Sequence, residues 1–104
     1  MPTLGRIDLH LRVRVTPGQR EAFLSFLREA KPFYEKPGGI EMRLLEDAGD
    51  DHRFIELILY CDEATYAKDQ LRVRDDPEMK SYLQRWRALL AEAPVVETYR
   101  LTEI

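Results

Sequence analysis

Ile7-Asp8-Leu9-His10-Leu11-Arg12-Val13-Arg14-Val15 alternates apolar and polar side chains over nine residues. A period of two is that of an extended strand, so Ile7, Leu9, Leu11, Val13 and Val15 fall on one face and Asp8, His10, Arg12 and Arg14 on the other. Thr16-Pro17-Gly18-Gln19 then reads as a helix start, with Thr16 as cap, Pro17 at the first helical position and Gln19 completing a capping box. Ala22, Phe23, Phe26, Leu27 and Ala30 follow at helical spacing. Pro32 lacks an amide hydrogen and is expected to end or kink that helix.

Past the turn at Pro37-Gly38-Gly39, a second strand is expected from Ile40 to Glu46, and a short acidic hairpin connection from Asp47 to Asp51. The third strand, Arg53 to Cys61, is apolar on both faces: Ile55, Leu57, Leu59 and Cys61 on one, Phe54, Ile58 and Tyr60 on the other, interrupted by Glu56. A helical region begins at Asp62 with Ala64, Ala67 and Leu71 as its stripe, pauses near Arg74-Asp75-Asp76 and restarts at Pro77. Met79, Tyr82, Leu83, Trp86, Leu89, Leu90 and Ala93 continue at helical spacing to Pro94, and Val95 to Ile104 reads as a fourth strand.

Two β-α-β units in tandem, with short connections, predict a ferredoxin-like α+β fold, β-α-β-β-α-β. Its antiparallel sheet carries the helices on one face, with the first and third strands as central neighbours. A chain of 104 residues has room for one domain, expected to span 1–104. The second face of the sheet is left without intrachain cover. Phe54, Ile58 and Tyr60 are expected there, beside Glu56 and the ionisable row Asp8, His10, Arg12 and Arg14. Such a mixed surface predicts a homodimer closing sheet on sheet around a polar-lined cavity, with room for a small-molecule ligand.

The balance of 16 basic and 19 acidic residues, net charge −3, argues against a nucleic-acid partner. Cys61 is the single cysteine, so an intrachain disulfide and a cysteine metal cluster are both excluded. Met1 to Arg6 lacks the apolar core of a leader, no apolar run is long enough to span a bilayer, and the cytoplasm is the expected location.

Several short stretches resemble the antibiotic-biosynthesis monooxygenase family of the dimeric α/β barrel superfamily. They are Pro37-Gly38-Gly39-Ile40 leading into Met42-Arg43-Leu44-Leu45-Glu46-Asp47, then Arg53-Phe54, then Tyr60-Cys61-Asp62-Glu63-Ala64, and Asp76-Pro77-Glu78-Met79 running on to Leu89-Leu90. The resemblance implies a dimeric barrel. It also implies one of that superfamily's activities, which include cofactor-independent oxygenation of electron-rich aromatics, haem degradation and isomerisation. A cofactor-independent monooxygenase-like enzyme acting on a small aromatic or enolisable compound is the first expectation. The alternative is a non-catalytic dimeric ligand-binding or stress-related protein of the same fold. Many relatives carry His in the second helix and after the Pro that opens the last one, where this chain reads Lys68-Asp69-Gln70-Leu71 and Glu78. The Asn of several oxygenase branches has no counterpart, since the chain contains none.

Among single residues, His10 is the candidate general base, with Glu56 to orient it and Arg12 to stabilise developing negative charge. An imidazole merely satisfied by Glu56 or Arg12 is the competing reading. Arg14, Phe54, Ile58 and Tyr60 are the candidate substrate-binding residues, with ion pairs and interface packing as the bland alternatives. His52 beside Asp50 and Asp51 reads as a solvated turn, so no metal is expected there; no cofactor is expected either. Trp86 reads as core. Arg72, Arg74, Arg85 and Arg87, with acidic residues among them, read as a charged helix surface.

Overall fold

A computed structural model of the protein describes residues 5–104; residues 1–4, part of the stretch read for a leader, lie outside it. The element order is β1 (Ile7–Arg14), α1 (Arg20–Glu35), β2 (Ile40–Asp47), β3 (Asp50–Tyr60), α2 (Glu63–Asp75), α3 (Pro77–Arg87) and β4 (Val95–Arg100). The strands form one antiparallel sheet in the order β2-β3-β1-β4, the ferredoxin-like arrangement read from the sequence, with β3 and β1 at its centre.

Local chemistry explains most boundaries. The α1 helix starts later than expected, because Thr16 enters a turn that accepts the amide of Gln19 through its backbone carbonyl. Gln19 is therefore the N-cap, with no side-chain hydrogen bond, and the capping box does not form. Pro32 does not stop the helix, which runs on to Glu35. Pro32 and Arg28 are both exposed, so the carbonyl that loses its partner lies on the solvated side. Gly38 and Gly39 both take positive φ in the turn into β2. A Cβ at Gly39 would meet Cys61 Sγ at 2.7 Å, so the close approach of this turn to the end of β3 requires glycine.

The Asp62 carboxylate caps α2 by accepting the Thr65 amide at 2.7 Å, and Asp76 caps α3 ahead of Pro77. The break between α2 and α3 falls where the sequence places it. Two helical expectations fail. Ala64, Ala67 and Leu71 point to solvent, and the inward side of α2 is instead Tyr66, Asp69, Gln70 and Val73. The last helix ends at Arg87, and Leu90 makes an isolated bridge to Val15. The strand β4 ends at Arg100, four residues short of the chain end expected for it.

Register decides which side chains meet. Residues directly opposite one another in an antiparallel pair point to the same face. Ile7 lies opposite Tyr60, Leu9 opposite Ile58, Leu11 opposite Glu56 and Val13 opposite Phe54. Those eight side chains therefore share the helix-covered face, where Phe23 of α1 reaches the Phe54 ring at a centroid distance of 5.0 Å. The other face carries Asp8, His10, Arg12 and Arg14 of β1 beside Leu59, Leu57, Ile55 and Arg53 of β3. No helix among the described residues is long and apolar enough to cross a membrane.

Candidate functional site

The register overturns one premise of the sequence reading. Phe54, Glu56, Ile58 and Tyr60 were expected on the open face beside His10; all four lie on the helix face and are buried. His10 and Glu56 point to opposite sides of the sheet, so within one chain Glu56 does not orient His10. Sequence parity fixes which residues of β3 go together, but only pairing with β1 fixes which set meets the helices.

On the open face Asp8, Arg12 and Arg14 of the ionisable row are ion-paired, Asp8 with Arg6 at 2.8 Å. The Arg12 guanidinium donates to Glu97 of β4 at 2.6 Å, holding the Glu97 carboxyl below its ordinary range. Arg14 bridges Asp50 at 3.1 Å and Glu92 at 3.3 Å. The His10 ring lies 4.8 Å from that of Tyr99, centroid to centroid. Leu45, Val95 and Tyr99 are exposed around the half-buried column Ile55, Leu57 and Leu59. Thus the open face is apolar along the third strand as expected, through the opposite set of side chains.

A cavity lies on the other side, between the sheet and α2–α3. It has a volume of about 230 Å³, and its walls include Leu9, Leu11, Ile58, Met79, Leu83 and Val96. Of the residues lining it only Arg87 and Val96 are exposed, which puts its mouth between the end of α3 and β4.

Glu56 lines this cavity and is 1% exposed. Its hydrogen bond among the described residues comes from the indole of Trp86, whose Nε1 donates to Oε2. Removal from water disfavours the carboxylate more than one indole hydrogen bond restores it, and the Glu56 carboxyl is pushed up to about 8. A neutral acid at this site is the physical solution to a single charge placed in an apolar strand.

Deeper toward α1, the Tyr60 hydroxyl donates to Asp69 Oδ2 at 2.6 Å, and Arg72 Nε donates to Asp69 Oδ1 at 2.8 Å. The two terminal nitrogens of Arg72 reach the carbonyls of Phe33 and Tyr34 at 2.9 and 2.8 Å. This buried ion pair thereby staples α2 to the last turn of α1. Burial first, then the hydrogen bond to Asp69, raises the Tyr60 phenol, and burial raises that of Tyr34, so both stay protonated across the accessible pH range. Gln70 completes the polar set; its side-chain nitrogen is buried without a partner among the described residues.

The sequence singled out Glu56, Ile58 and Tyr60 for a pocket, and the structure gathers all three, though in a different pocket. His10, Arg12, Arg14 and Phe54 stay outside it, and Arg12 and Phe54 line a separate hollow with Leu45, Arg53 and Ile55. Tyr34, Asp69 and Gln70 were not foreseen; an Asp three residues before an Arg, at a position inward of the helix, is the available signal. Asp50, Asp51 and His52 bring their potential ligand atoms within 4.8 Å of one another. Arg14 holds Asp50 and the His52 ring holds Asp51, the contacts of a solvated hairpin.

The antibiotic biosynthesis monooxygenase family model matches residues 7–68, from β1 into α2. Among solved structures, a conserved protein of Methanosarcina mazei Go1 superposes with a TM-score of 0.81 at 15% identity, covering 96% of each chain. SnoaB, a cofactor-independent oxygenase from Streptomyces nogalater, gives 0.78 at 16% identity, again covering 96% of each. A conserved protein of unknown function from Bacteroides thetaiotaomicron VPI-5482 gives 0.75 at 16% identity, over 93% of this chain and 98% of that one. No curated protein sequence matches. At these identities the superpositions carry the fold, and the family model, matching more than half of the sequence, carries the membership. This chain belongs to the antibiotic biosynthesis monooxygenase family.

Proposed function

We propose that this protein is a cofactor-independent, monooxygenase-like enzyme that oxidises a small electron-rich aromatic or enolisable compound in the cavity behind β3. The observation that carries the reading is the Glu56 carboxyl, buried in an apolar cavity and pushed up to about 8. A phenol loses its proton near pH ~10, so an ordinary carboxylate is a weak base toward it, while one near 8 is far closer in strength. Glu56 in its ionised form takes the hydroxyl proton of the bound phenol or enol. The resulting anion passes one electron to dioxygen, and the two radicals combine into a peroxide on carbon. Protonation of that peroxide by Glu56 and loss of water leave a new carbonyl. One oxygen atom enters the product; the other departs in water with the two hydrogens that the substrate gives up.

Oxygen uptake tests this reading, using a panel of one- and two-ring hydroxyaromatics with the purified protein and with Glu56→Gln. Uptake that rises with pH toward 8 and is lost in the variant supports it. Uptake unchanged in Glu56→Gln contradicts the role of Glu56, and binding without uptake favours the non-catalytic ligand-binding alternative.

We further infer that a second copy of the chain covers the open sheet face. What supports this is the column Ile55, Leu57 and Leu59 with Leu45, Val95 and Tyr99 around it, an apolar surface that no element among the described residues covers. On this reading His10, Arg12 and Arg14 set the polar contacts of that interface.

A further inference from the structure

The lining of the cavity narrows what it takes. A cavity of roughly 150 Å³ holds one benzene ring, while drug-sized ligands occupy roughly 300 Å³ or more. At about 230 Å³, the space behind β3 falls between the two. Its polar groups are also unevenly placed. Glu56 lies in the buried wall, and Gln70 offers a buried amide nitrogen with no acceptor among the described residues. Arg87 lies at the mouth, exposed, and among the described residues no carboxylate or carbonyl holds its guanidinium.

That last point separates Arg87 from its neighbours. Arg85 is bidentate on Glu29, Arg74 is bidentate on Asp75, and Arg72 is held by Asp69, Phe33 and Tyr34. Among the described residues Arg28, Lys36, Lys68 and Lys80 also have no ion-pair partner, but they do not line this cavity. An unpaired guanidinium at the rim of an apolar hole is matched by a planar anion that remains half in water while its ring is buried.

Resting on the reading of this cavity as the oxidation site, we propose that its substrate is a one- or two-ring hydroxyaromatic carboxylate. The ring fills the space between Leu9, Ile58 and Met79 and the hydroxyl meets Glu56. Gln70 donates to an oxygen of the ring system, and the carboxylate stays at the mouth on Arg87. Arg87 is then a specificity residue, selecting acids over the corresponding neutral phenols.

Isothermal titration calorimetry without turnover tests this. The probe 6-hydroxy-2-naphthoate carries its hydroxyl and carboxylate at opposite ends of a two-ring frame, and 2-naphthol lacks the carboxylate. The wild-type protein is expected to bind the acid about tenfold more tightly. Arg87→Gln is expected to erase that preference and Arg87→Lys to keep most of it; the side chain is exposed, so both variants fold. For size, 2-naphthoate is expected to bind more tightly than anthracene-2-carboxylate. Equal affinity for 6-hydroxy-2-naphthoate and 2-naphthol, or a preference that survives Arg87→Gln, overturns the role of Arg87. Equal affinity for the two- and three-ring acids overturns the size limit. Because binding needs no oxygen, bound acid without oxygen uptake counts against the oxidation reading alone, so the two failures are distinguishable.

Discussion

The indole nitrogen of Trp86 and the carboxyl of Glu56, thirty residues apart in sequence, form a buried hydrogen bond at the wall of the cavity. That contact ties α3 to the central strand β3, and it is the favourable polar influence on a carboxyl otherwise governed by burial. Replacing Trp86 by Phe removes the donor and keeps most of the ring. The expected loss is about 1–3 kcal/mol of stability, measured by urea unfolding. With the donor gone the Glu56 carboxyl is also expected to move further up. An unchanged midpoint would mean that the indole hydrogen bond contributes nothing to the fold.

Glu56 should also set a pH dependence of stability. Its folded value is about 8 against an ordinary 4.5, so between those limits the unfolded chain has lost a proton that the folded chain retains. Stability from this group is complete below about pH 4.5, falls as pH rises toward 8, and levels off above it. The slope approaches about 1.4 kcal/mol per pH unit within the window. Glu56→Gln should flatten the profile between pH 6 and 8 and be the more stable protein at pH 8. Parallel profiles for the two proteins would contradict this.

The Asp69–Arg72 pair predicts an asymmetry. Arg72→Ala leaves a buried carboxylate beside Tyr60 and frees the carbonyls of Phe33 and Tyr34, at an expected cost of about 3–5 kcal/mol. The double variant Asp69→Asn with Arg72→Ala no longer buries an unpaired charge and should recover part of that loss. A double-mutant cycle by chemical denaturation measures it, and strictly additive losses would contradict the coupling.

The open sheet face gives a prediction about association. Leu57→Asp places a charge in the centre of the apolar column without touching the helix-side core. The wild-type protein is expected to sediment as a dimer at micromolar concentration and the variant as a folded monomer with unchanged circular dichroism. A wild-type monomer would remove the second copy as the cover for Ile55, Leu57 and Leu59.

Much of the architecture was legible in the chain because local signals agreed. Alternation from Ile7 to Val15 gave β1, Asp62 and Asp76-Pro77 marked two helix starts, and Pro37-Gly38-Gly39 marked the turn into β2. The candidate site was not, for a reason specific to β3. Its two faces are equally apolar, so the pattern carries no information on which one meets the helices. A lone glutamate is then more cheaply assigned to the wetter side. Only the pairing of Leu11 with Glu56 reverses that assignment. The inward side of α2 was hidden similarly: Asp69 and Gln70 look like surface residues, and Leu71, which looks like core, is 52% exposed. Their burial depends on Tyr60 and Arg72 as partners, contacts that no local window contains.

The raised proton affinity of the Glu56 carboxyl underlies the proposed chemistry, and nuclear magnetic resonance reads it directly. With glutamate labelled by carbon-13 at the side-chain carboxyl, one resonance should titrate near pH 8 and be missing from Glu56→Gln. If every glutamate carboxyl instead titrates near or below 4.5, Glu56 is an ordinary carboxylate and the cavity has no base matched to a phenol.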